Sequence, residues 1–251
     1  MRIDDTAAII TGGASGLGEA TARHFRARGA QVTLLDRDAA RGQAVADEIG
    51  ASFAETDVTD EASVAAAIGT AKAAMGRITA AINCAGIAPG AKTLGRDGPH
   101  DLGVFRQTID INLVGTFNVA RLAAAEMAGN APDDDGARGV IVNTASIAAF
   151  EGQKGQAAYA ASKGGITGLS LPMARDLARD GIRVMAIAPG IFATPMMRGL
   201  PQEVQDSLAT EVTFPKRLGQ PEEYARLAQF IVECGYLNGE VIRLDGALRM
   251  Q

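Results

Sequence analysis

Short apolar runs alternate with amphipathic segments along most of this chain. The alternation predicts repeated strand–helix units, because a buried strand reads as an apolar run and a covering helix as an amphipathic segment. The predicted strands are residues 6–11, 31–36, 52–56, 80–83, 140–144, 183–188 and 240–244. The predicted helices are residues 18–28, 39–49, 61–75, 105–127, 159–179 and 221–233. Several strands are nearly continuous in Val, Ile, Leu and Ala, which favours a parallel sheet with helices on both faces.

The order of these elements predicts an α/β fold with one doubly wound, seven-stranded parallel sheet flanked by helices. Right-handed crossovers then place a ligand crevice where the strand order reverses. The 251 residues suit a single domain over residues 1–251. Two polar segments rich in Gly and Pro, residues 89–103 and 129–139, are predicted to be surface loops. The first follows the fourth strand at its ligand-binding end, so we expect it to help shape a substrate site.

Composition excludes several classes of function. The chain is 47% hydrophobic with a net charge of −5 and no run of Lys or Arg, so a nucleic-acid-binding role has no electrostatic basis. Its two cysteines are far apart and read as reduced thiols, and two histidines without HExxH spacing argue against a zinc site. No metal is expected. No targeting segment or membrane span is visible, so a cytoplasmic protein without membrane partners is the default expectation.

A glycine-rich turn, residues 11–18, follows the first strand and opens the first helix. Glycines at this point of a Rossmann sheet let the backbone approach a pyrophosphate, which the helix N-terminus attracts. Asp36 ends the second strand, 18 residues after Gly18, where a carboxylate meets the adenosine ribose hydroxyls. A carboxylate also repels a 2′-phosphate, so NAD is favoured over NADP. Arg37 could recruit a phosphate, but a solvated side chain is the preferred interpretation.

The next two strands end in polar residues at the same edge of the sheet. Asp57, followed by Val58, could meet the adenine ring, or it could cap the helix that begins near Asp60. The segment Asn83–Gly86 closes the fourth strand, where Asn83 could bond across neighbouring strand ends. Its neighbour Cys84 is better interpreted as a small apolar residue than as a nucleophile.

Tyr159 and Lys163 lie four positions apart and are neighbours on one helical face. A nearby ammonium favours the phenolate, so we expect Lys163 to lower the Tyr159 pKa and make the phenol usable as a general acid or base. Alone, this spacing is common by chance. It indicates an acid/base pair only together with the motifs around it.

Taken together, the motifs resemble the short-chain dehydrogenase/reductase family over essentially the full length of the chain. The matching elements, in family order, are the 11–18 turn, Asp57, the segment 83–86, Asn112, Ser146, Tyr159, Lys163, the Pro189-Gly190 pair and Thr194. The resemblance implies the catalytic set Asn112, Ser146, Tyr159 and Lys163. In it Tyr159 exchanges the proton, Ser146 orients the substrate oxygen, Lys163 holds the nicotinamide ribose, and Asn112 anchors a water or bends its helix.

Residues 139–153, 155–159 and 237–246 resemble, more narrowly, the type II 3-hydroxyacyl-CoA dehydrogenases, also described as type 10 17β-hydroxysteroid dehydrogenases. This resemblance implies NAD-dependent interconversion of (S)-3-hydroxyacyl-CoA and 3-oxoacyl-CoA, with Ser146, Gln156 and Tyr159 meeting the substrate. It implies NAD contacts at Gly12, Ser15, Gly16, Leu17, Gly18, Asp36, Asp57, Val58, Asn83, Cys84, Ala85, Gly86, Tyr159, Lys163, Pro189, Phe192 and Thr194.

Other functions stay open at this point. A hydroxysteroid or another secondary alcohol is the alternative substrate, and a 3-oxoacyl-carrier-protein reductase is disfavoured because Asp36 opposes NADPH. A catalytically silent binding subunit is the alternative from another class of function. The sequence leaves the acyl chain length, the physiological direction and the CoA-binding residues open; for Lys92 and Arg96, in the first loop, a solvated surface charge is the preferred interpretation.

The predicted helix that carries Tyr159 contains Pro172 together with Gly164, Gly165 and Gly168, all of which weaken an isolated helix. We therefore expect packing from a neighbouring subunit and, by the resemblance, a homotetramer. Residues 191–214 are expected to form an apolar lid over the substrate, with ordinary packing of a short helix as the alternative.

Overall fold

The computed structural model describes residues 1–96, 98–198 and 201–250. Within these residues the strands are β1 (Ala7–Thr11), β2 (Gln31–Asp36), β3 (Ser52–Glu55), β4 (Ala80–Asn83), β5 (Leu94–Gly95), β6 (Gly98–Pro99), β7 (Gly139–Thr144), β8 (Ile182–Pro189) and β9 (Val241–Leu244). All except β5 and β6 form a seven-stranded parallel sheet with the order β3-β2-β1-β4-β7-β8-β9. Each prediction is confirmed to within one residue at either end. The strand order reverses between β1 and β4, which places the ligand crevice there.

Helices cover both faces of the sheet, as the predicted fold class requires. They are α1 (Gly16–Arg26), α2 (Ala39–Ile49), α3 (Glu61–Met75), α4 (Leu102–Ile109), α5 (Gly115–Met127), α6 (Ala148–Glu151), α7 (Ala157–Asp176), α8 (Pro195–Arg198), α9 (Gln202–Glu211) and α10 (Pro221–Glu233). Side chains of adjacent strand residues pack against helices on opposite faces of the sheet. Ile9 packs with α3 and α5 in one core, whereas Ile10 packs with α1, α2 and α10 in the other. The doubly wound fold is confirmed.

The predicted helix over residues 105–127 is two helices joined by a π-helical turn, Asp110–Val114. Asn112 lies in this turn and is completely buried. Its side-chain oxygen accepts from Ile87 N at 2.8 Å, and its amide donates to Ile87 O at 2.8 Å. These two bonds tie the turn to the chain leaving β4, and a π turn of this kind is often found at functional sites.

Helix α7 contains Pro172, as predicted, and ends at Asp176. A Cβ on Gly165 would lie 2.6 Å from Leu113 Cδ2, so this glycine allows close packing within the subunit. A Cβ on Gly168 would meet nothing within 4 Å. Gly165, which was assigned to a subunit contact, therefore packs inside the subunit, whereas Gly168 has open space beside it.

Two segments flank the open edge of the crevice. The loop over residues 89–103 contains a short antiparallel pair, β5 (Leu94–Gly95) and β6 (Gly98–Pro99), and Ala91 N donates to Gly155 O at 2.9 Å. The segment 191–214 contains α8 and α9, neither of which was predicted as a separate helix. Gly199 and Leu200 of this segment, together with the side chain of Met196, lie outside the described residues.

Candidate active site

A cleft of ≈ 370 Å³ lies at the carboxyl ends of β1, β2 and β4. Twelve of the residues that the resemblance assigned to NAD line it together: Gly12, Ser15, Gly16, Leu17, Gly18, Asp36, Asp57, Val58, Cys84, Ala85, Gly86 and Thr194. Leu35, Arg37, Thr56, Ile87, Ile111 and Pro195 also line this cleft and were not assigned to it from the sequence.

The glycine-rich turn has the geometry of a phosphate cradle. A Cβ on Gly12 would lie 2.9 Å from Ala85 N, and one on Gly18 only 2.2 Å from Gly12 O. Gly16 has a φ of +55°, and α1 begins at this residue without a side-chain cap from Ser15. The uncapped amides of the first turn carry partial positive charge, and their residues line the cleft. The turn therefore fits a dinucleotide pyrophosphate.

Asp36 lies at the end of β2 with its carboxylate fixed by backbone donors. Oδ2 accepts from Ala14 N and Oδ1 from Asp38 N, both at 3.0 Å. The carboxylate thus supports the phosphate turn and still has acceptor capacity toward the cleft, since each oxygen has two lone pairs. Arg37 is exposed and lines the same cleft.

The alternative that Asp57 caps a helix is wrong, because Asp60 caps α3 by accepting from Ala62 N at 2.9 Å. Asp57 Oδ1 instead accepts from the backbone and hydroxyl of Thr59, at 2.9 and 2.7 Å. These bonds, and the charge of Arg37, hold the pKa of Asp57 below its ordinary value. The carboxylate stays ionised on the cleft wall.

A second cavity, of ≈ 430 Å³, adjoins the first and shares Leu17, Cys84, Gly86, Ile87 and Thr194 with it. It brings together the predicted residues Ser146, Gln156, Tyr159, Lys163, Pro189 and Phe192. Ser146 Oγ accepts from Ala148 N at 3.1 Å, which leaves the hydroxyl proton available to the cavity. Gln156 Oε1 accepts from Gln153 N at 3.0 Å, so this side chain is fixed at the start of α7.

The Tyr159–Lys163 pair lies on the inner face of α7, with Lys163 Nζ 5.8 Å from the ring centroid. Burial raises the pKa of Tyr159, and a hydrogen bond with Ser146 acts in the opposite direction. Burial also lowers the pKa of Lys163 to about 8, and Nζ donates to Thr144 O at 2.7 Å. The expected lowering of the Tyr159 pKa by Lys163 is therefore not found. Desolvation of the phenol dominates, and the Lys163 ammonium is hydrogen-bonded to the Thr144 carbonyl.

The amino-acid sequence that forms this fold and site is similar to those of known proteins. A family model described as short chain dehydrogenase matches residues 6–205. The chain belongs to the short-chain dehydrogenase family. The family consists of oxidoreductases, and this chain is one of them.

Three relatives of this short-chain dehydrogenase show how far the similarity extends. Human 3-hydroxyacyl-CoA dehydrogenase type-2 is 57% identical over 248 residues, covering 97% of this chain and 95% of the relative. The crystal structure of 3-hydroxyacyl-CoA dehydrogenase type-2 from Mycobacterium avium matches with a TM-score of 0.95 at 49% identity, covering 99% and 98% of the two chains. A 7α-hydroxysteroid dehydrogenase complexed with NADH and 7-oxo glycochenodeoxycholic acid matches with a TM-score of 0.89 at 29% identity, covering 100% and 96%.

Two of the predicted residues line neither cavity of this dehydrogenase. Asn83 is 2% exposed, and its amide donates to Asn143 Oδ1 across neighbouring strand ends at 2.9 Å. Asn112 holds Ile87 and also donates to Ser162 Oγ at 3.0 Å. The structure thus places both asparagines behind the site, where they fix the backbone that forms it.

A buried polar cluster beneath Lys163 was not found from the sequence. Thr144 Oγ1 donates to Asn83 O at 2.6 Å and lies 2.8 Å from the Tyr224 hydroxyl. Because the single Thr144 proton is used by a carbonyl, Tyr224 must be the donor to Thr144. Cys84 Sγ lies 3.6 Å from the same phenol, and burial raises the pKa of this thiol. No short-range motif links α10 to the end of β7, so the sequence carried no signal for this cluster.

Among the described residues, no group of three or more His, Cys, Asp or Glu side chains is arranged to hold a metal ion. In the same part of the chain, no helix is long and apolar enough to span a membrane.

Proposed function

We propose that the protein is an NAD-dependent oxidoreductase that interconverts (S)-3-hydroxyacyl-CoA and 3-oxoacyl-CoA. The observation that carries the proposal is the convergence of Ser146, Tyr159 and Lys163 on one cavity that adjoins the dinucleotide cleft. The relatives named 3-hydroxyacyl-CoA dehydrogenase type-2 at 53–57% identity supply the substrate class.

In the direction of oxidation, the substrate hydroxyl gives its proton to the Tyr159 phenolate as the adjoining carbon loses hydride. Bound NAD supplies the hydride acceptor. Ser146 donates a hydrogen bond to the substrate oxygen and holds it near the Tyr159 phenol. The ammonium of Lys163 favours negative charge on the substrate oxygen. Because burial raises the pKa of Tyr159, we expect kcat/KM for oxidation to rise with pH above neutrality.

Substitution of the phenol tests this assignment. Tyr159→Phe keeps the ring and removes the proton carrier, so we expect turnover to fall by about 100-fold or more. NADH binding, followed by its fluorescence, should persist. Tyr236→Phe is the matched control, since Tyr236 is fully exposed. Full turnover of Tyr159→Phe would remove the acid/base assignment, whereas absence of turnover in the unaltered protein would favour a silent binding subunit.

The proposal of NAD over NADP rests on Asp36, whose fixed carboxylate faces the cleft. Initial rates with acetoacetyl-CoA and either NADH or NADPH measure the preference directly. We expect Asp36→Asn to reduce the NADH preference by about tenfold, which corresponds to ~1.4 kcal/mol. A tenfold preference of the unaltered protein for NADPH would overturn this part of the proposal.

A second candidate activity is oxidation of a hydroxysteroid, favoured by the structural similarity to 7α-hydroxysteroid dehydrogenase. The cavity walls include Phe192, Met197 and Leu208, which offer apolar surface to either ligand. A panel of 3-hydroxyacyl-CoA, hydroxysteroid and simple secondary alcohol substrates with NAD separates the two. The higher kcat/KM identifies the substrate class.

We also propose a homotetramer with small-molecule substrates as its other partners. Support comes from exposed apolar side chains on the helical surface: Val114 is 47%, Phe117 43% and Leu171 44% exposed. Gly168 lies on the surface of α7 with space around it. Analytical ultracentrifugation at micromolar concentration tests the assembly, and a monomeric mass would refute it.

A reducing compartment, the cytoplasm, is the location we propose. Both cysteines are free thiols, which is the usual state in such a compartment. Fractionation of the source cells tests the location.

A further inference from the structure

The last residues that the structure describes fold back onto the substrate cavity. After β9 the chain turns at Gly246 and Ala247, which have φ angles of 59° and 62°. Leu248 is then buried to 1% exposure and anchors the segment in the protein. Met250 follows and forms part of the cavity wall together with Gln153, Gln156 and Leu208. We call residues 245–250 the return segment.

An ionic cluster holds the return segment against α6. Glu151 accepts from Arg243 at 2.9 and 3.3 Å and pairs with Arg249 at 3.4 Å. Asp245 accepts from Arg243 at 2.7 Å and from Arg249 at 3.2 Å. Glu151 Oε2 also accepts from Met250 N at 3.1 Å. Two carboxylates and two guanidiniums thus hold one short piece of chain, and we name these four side chains the return clamp.

The return clamp is more than a surface ion pair. The side chain of Asp245 is 8% exposed, that of Arg243 23% and that of Glu151 21%, so solvent screens these three less than the Arg23–Glu48 pair at 36% and 64%; Arg249, at 58%, is the exposed member of the clamp. The guanidinium of Arg243 is the main reason that the pKa of Glu151 lies below its ordinary value. Glu151 also ends α6, five residues after Ser146, so the clamp joins the return segment to the helix next to the site.

We propose that Met250 is a specificity-determining residue, and that the return clamp positions it as a wall against the apolar part of the substrate. The proposal rests on the proposed dehydrogenase activity. The substrate oxygen is held by Ser146 and Tyr159, so the chain attached to the same carbon extends into the rest of the cavity. Met250 lies there with its backbone fixed by Glu151, and its side chain limits the length that fits.

The first test changes the wall. Met250→Ala removes the thioether chain, and we expect the ratio of kcat/KM for 3-hydroxyoctanoyl-CoA over 3-hydroxybutyryl-CoA to rise about tenfold. Met250→Leu keeps the volume and should leave the ratio within about twofold of the unaltered protein. The same ratio is measured with 2-octanol and 2-butanol. A ratio that stays unchanged in both substrate series overturns the proposal, whereas turnover confined to the alcohols would remove only the acyl-CoA assignment.

The second test changes the clamp. Glu151→Gln keeps the shape of the side chain and removes its charge, so we expect the chain-length ratio to shift in the same direction. In the Met250→Ala background the same substitution should add nothing, because the wall it positions is gone. Glu48→Gln is the matched control, since Glu48 pairs with Arg23 on an exposed helical surface. An equal shift in both backgrounds would show that Glu151 acts by another route and overturn its positioning role.

Hydrogen exchange tests the return clamp without any substrate. Hydrogen exchange of the assembled protein should show the Met250 amide protected by Glu151 and exchanging faster in Glu151→Gln, with Glu48→Gln unchanged. Equal exchange in all three proteins would overturn the clamp even if the substrate preferences shifted.

Discussion

Lys163 carries a buried charge whose cost can be measured through the pH dependence of stability. The side chain is 4% exposed, and burial lowers its pKa from 10.5 to about 8. One unit of pKa shift corresponds to ~1.4 kcal/mol, so the protonated lysine lowers the free energy of unfolding by about 3 kcal/mol. Desolvation is the main cause of this shift, and the charge interaction with Cys84 acts in the opposite direction. The protein keeps this charge where the nicotinamide ribose is expected to bind.

The sign of the effect follows from proton linkage. The folded-state pKa of Lys163 lies below the unfolded value, so the unfolded chain binds more protons between the two. The penalty is therefore complete below the folded pKa and disappears as the pH rises through the unfolded pKa. Between pH 7 and pH 9.5 we expect this one residue to add about 2 kcal/mol to the free energy of unfolding.

Urea unfolding of the protein and of Lys163→Met at pH 7 and pH 9.5 isolates this contribution. Titrating groups that do not interact with Lys163 contribute equally to both proteins, and the donor lost at Thr144 is a constant difference that cancels between the two pH values. Lys92→Met, at an exposed lysine, is the control and should run parallel to the unaltered protein. If Lys163→Met also runs parallel to within about 0.5 kcal/mol, the argument from burial is refuted.

Three further substitutions test other parts of the molecule, two at or beneath the site and one at the opposite end of the sheet. Arg183→Met removes a guanidinium, 7% exposed, that donates to three backbone carbonyls at and beyond the end of α10. We expect the free energy of unfolding in urea to fall by about 3 kcal/mol, and a change below about 0.5 kcal/mol would contradict the structure. Gly18→Ala places a Cβ 2.2 Å from Gly12 O, so NADH affinity measured by fluorescence should fall by at least about tenfold; unchanged affinity would exclude the phosphate cradle. Tyr224→Phe removes the donor to Thr144 Oγ1, and we expect a loss of about 1–2 kcal/mol in urea, which an unchanged midpoint would exclude.

The fold could be predicted from the sequence because each strand is a local apolar pattern with a turn at its end. The break at Asn112 could not be predicted in the same way. Residues 105–127 have the composition of one continuous helix, and no Pro interrupts them. The π-helical turn coincides with hydrogen bonds from Asn112 to Ile87, a partner 25 residues away. Only the tertiary structure brings that partner to the helix.

The site could be predicted as a set of residue types, but its electrostatics could not. The Tyr159–Lys163 spacing indicates a charge beside a phenol, and the structure does place them on one face of α7. The direction of the Tyr159 pKa shift depends on how much solvent the cavity walls exclude and on which other groups the Lys163 ammonium is hydrogen-bonded to. Thr144, which holds Lys163, lies 19 residues earlier at the end of β7. The return clamp is similar, since Glu151 and Arg243 are 92 residues apart.

The sheet register explains why these distant residues form one site. Asn83 and Asn143 are register partners on β4 and β7, so the chain that leaves β4 toward the cofactor and the chain that leaves β7 toward Ser146 start side by side. Thr144 follows in the next position and bonds Asn83 through its hydroxyl and Lys163 through its carbonyl. A shift of one residue between β4 and β7 would turn the Thr144 side chain to the other face and remove the first of these bonds. The geometry of hydride and proton transfer is therefore fixed by strand pairing in the core, and substitutions there should alter turnover without contacting either ligand.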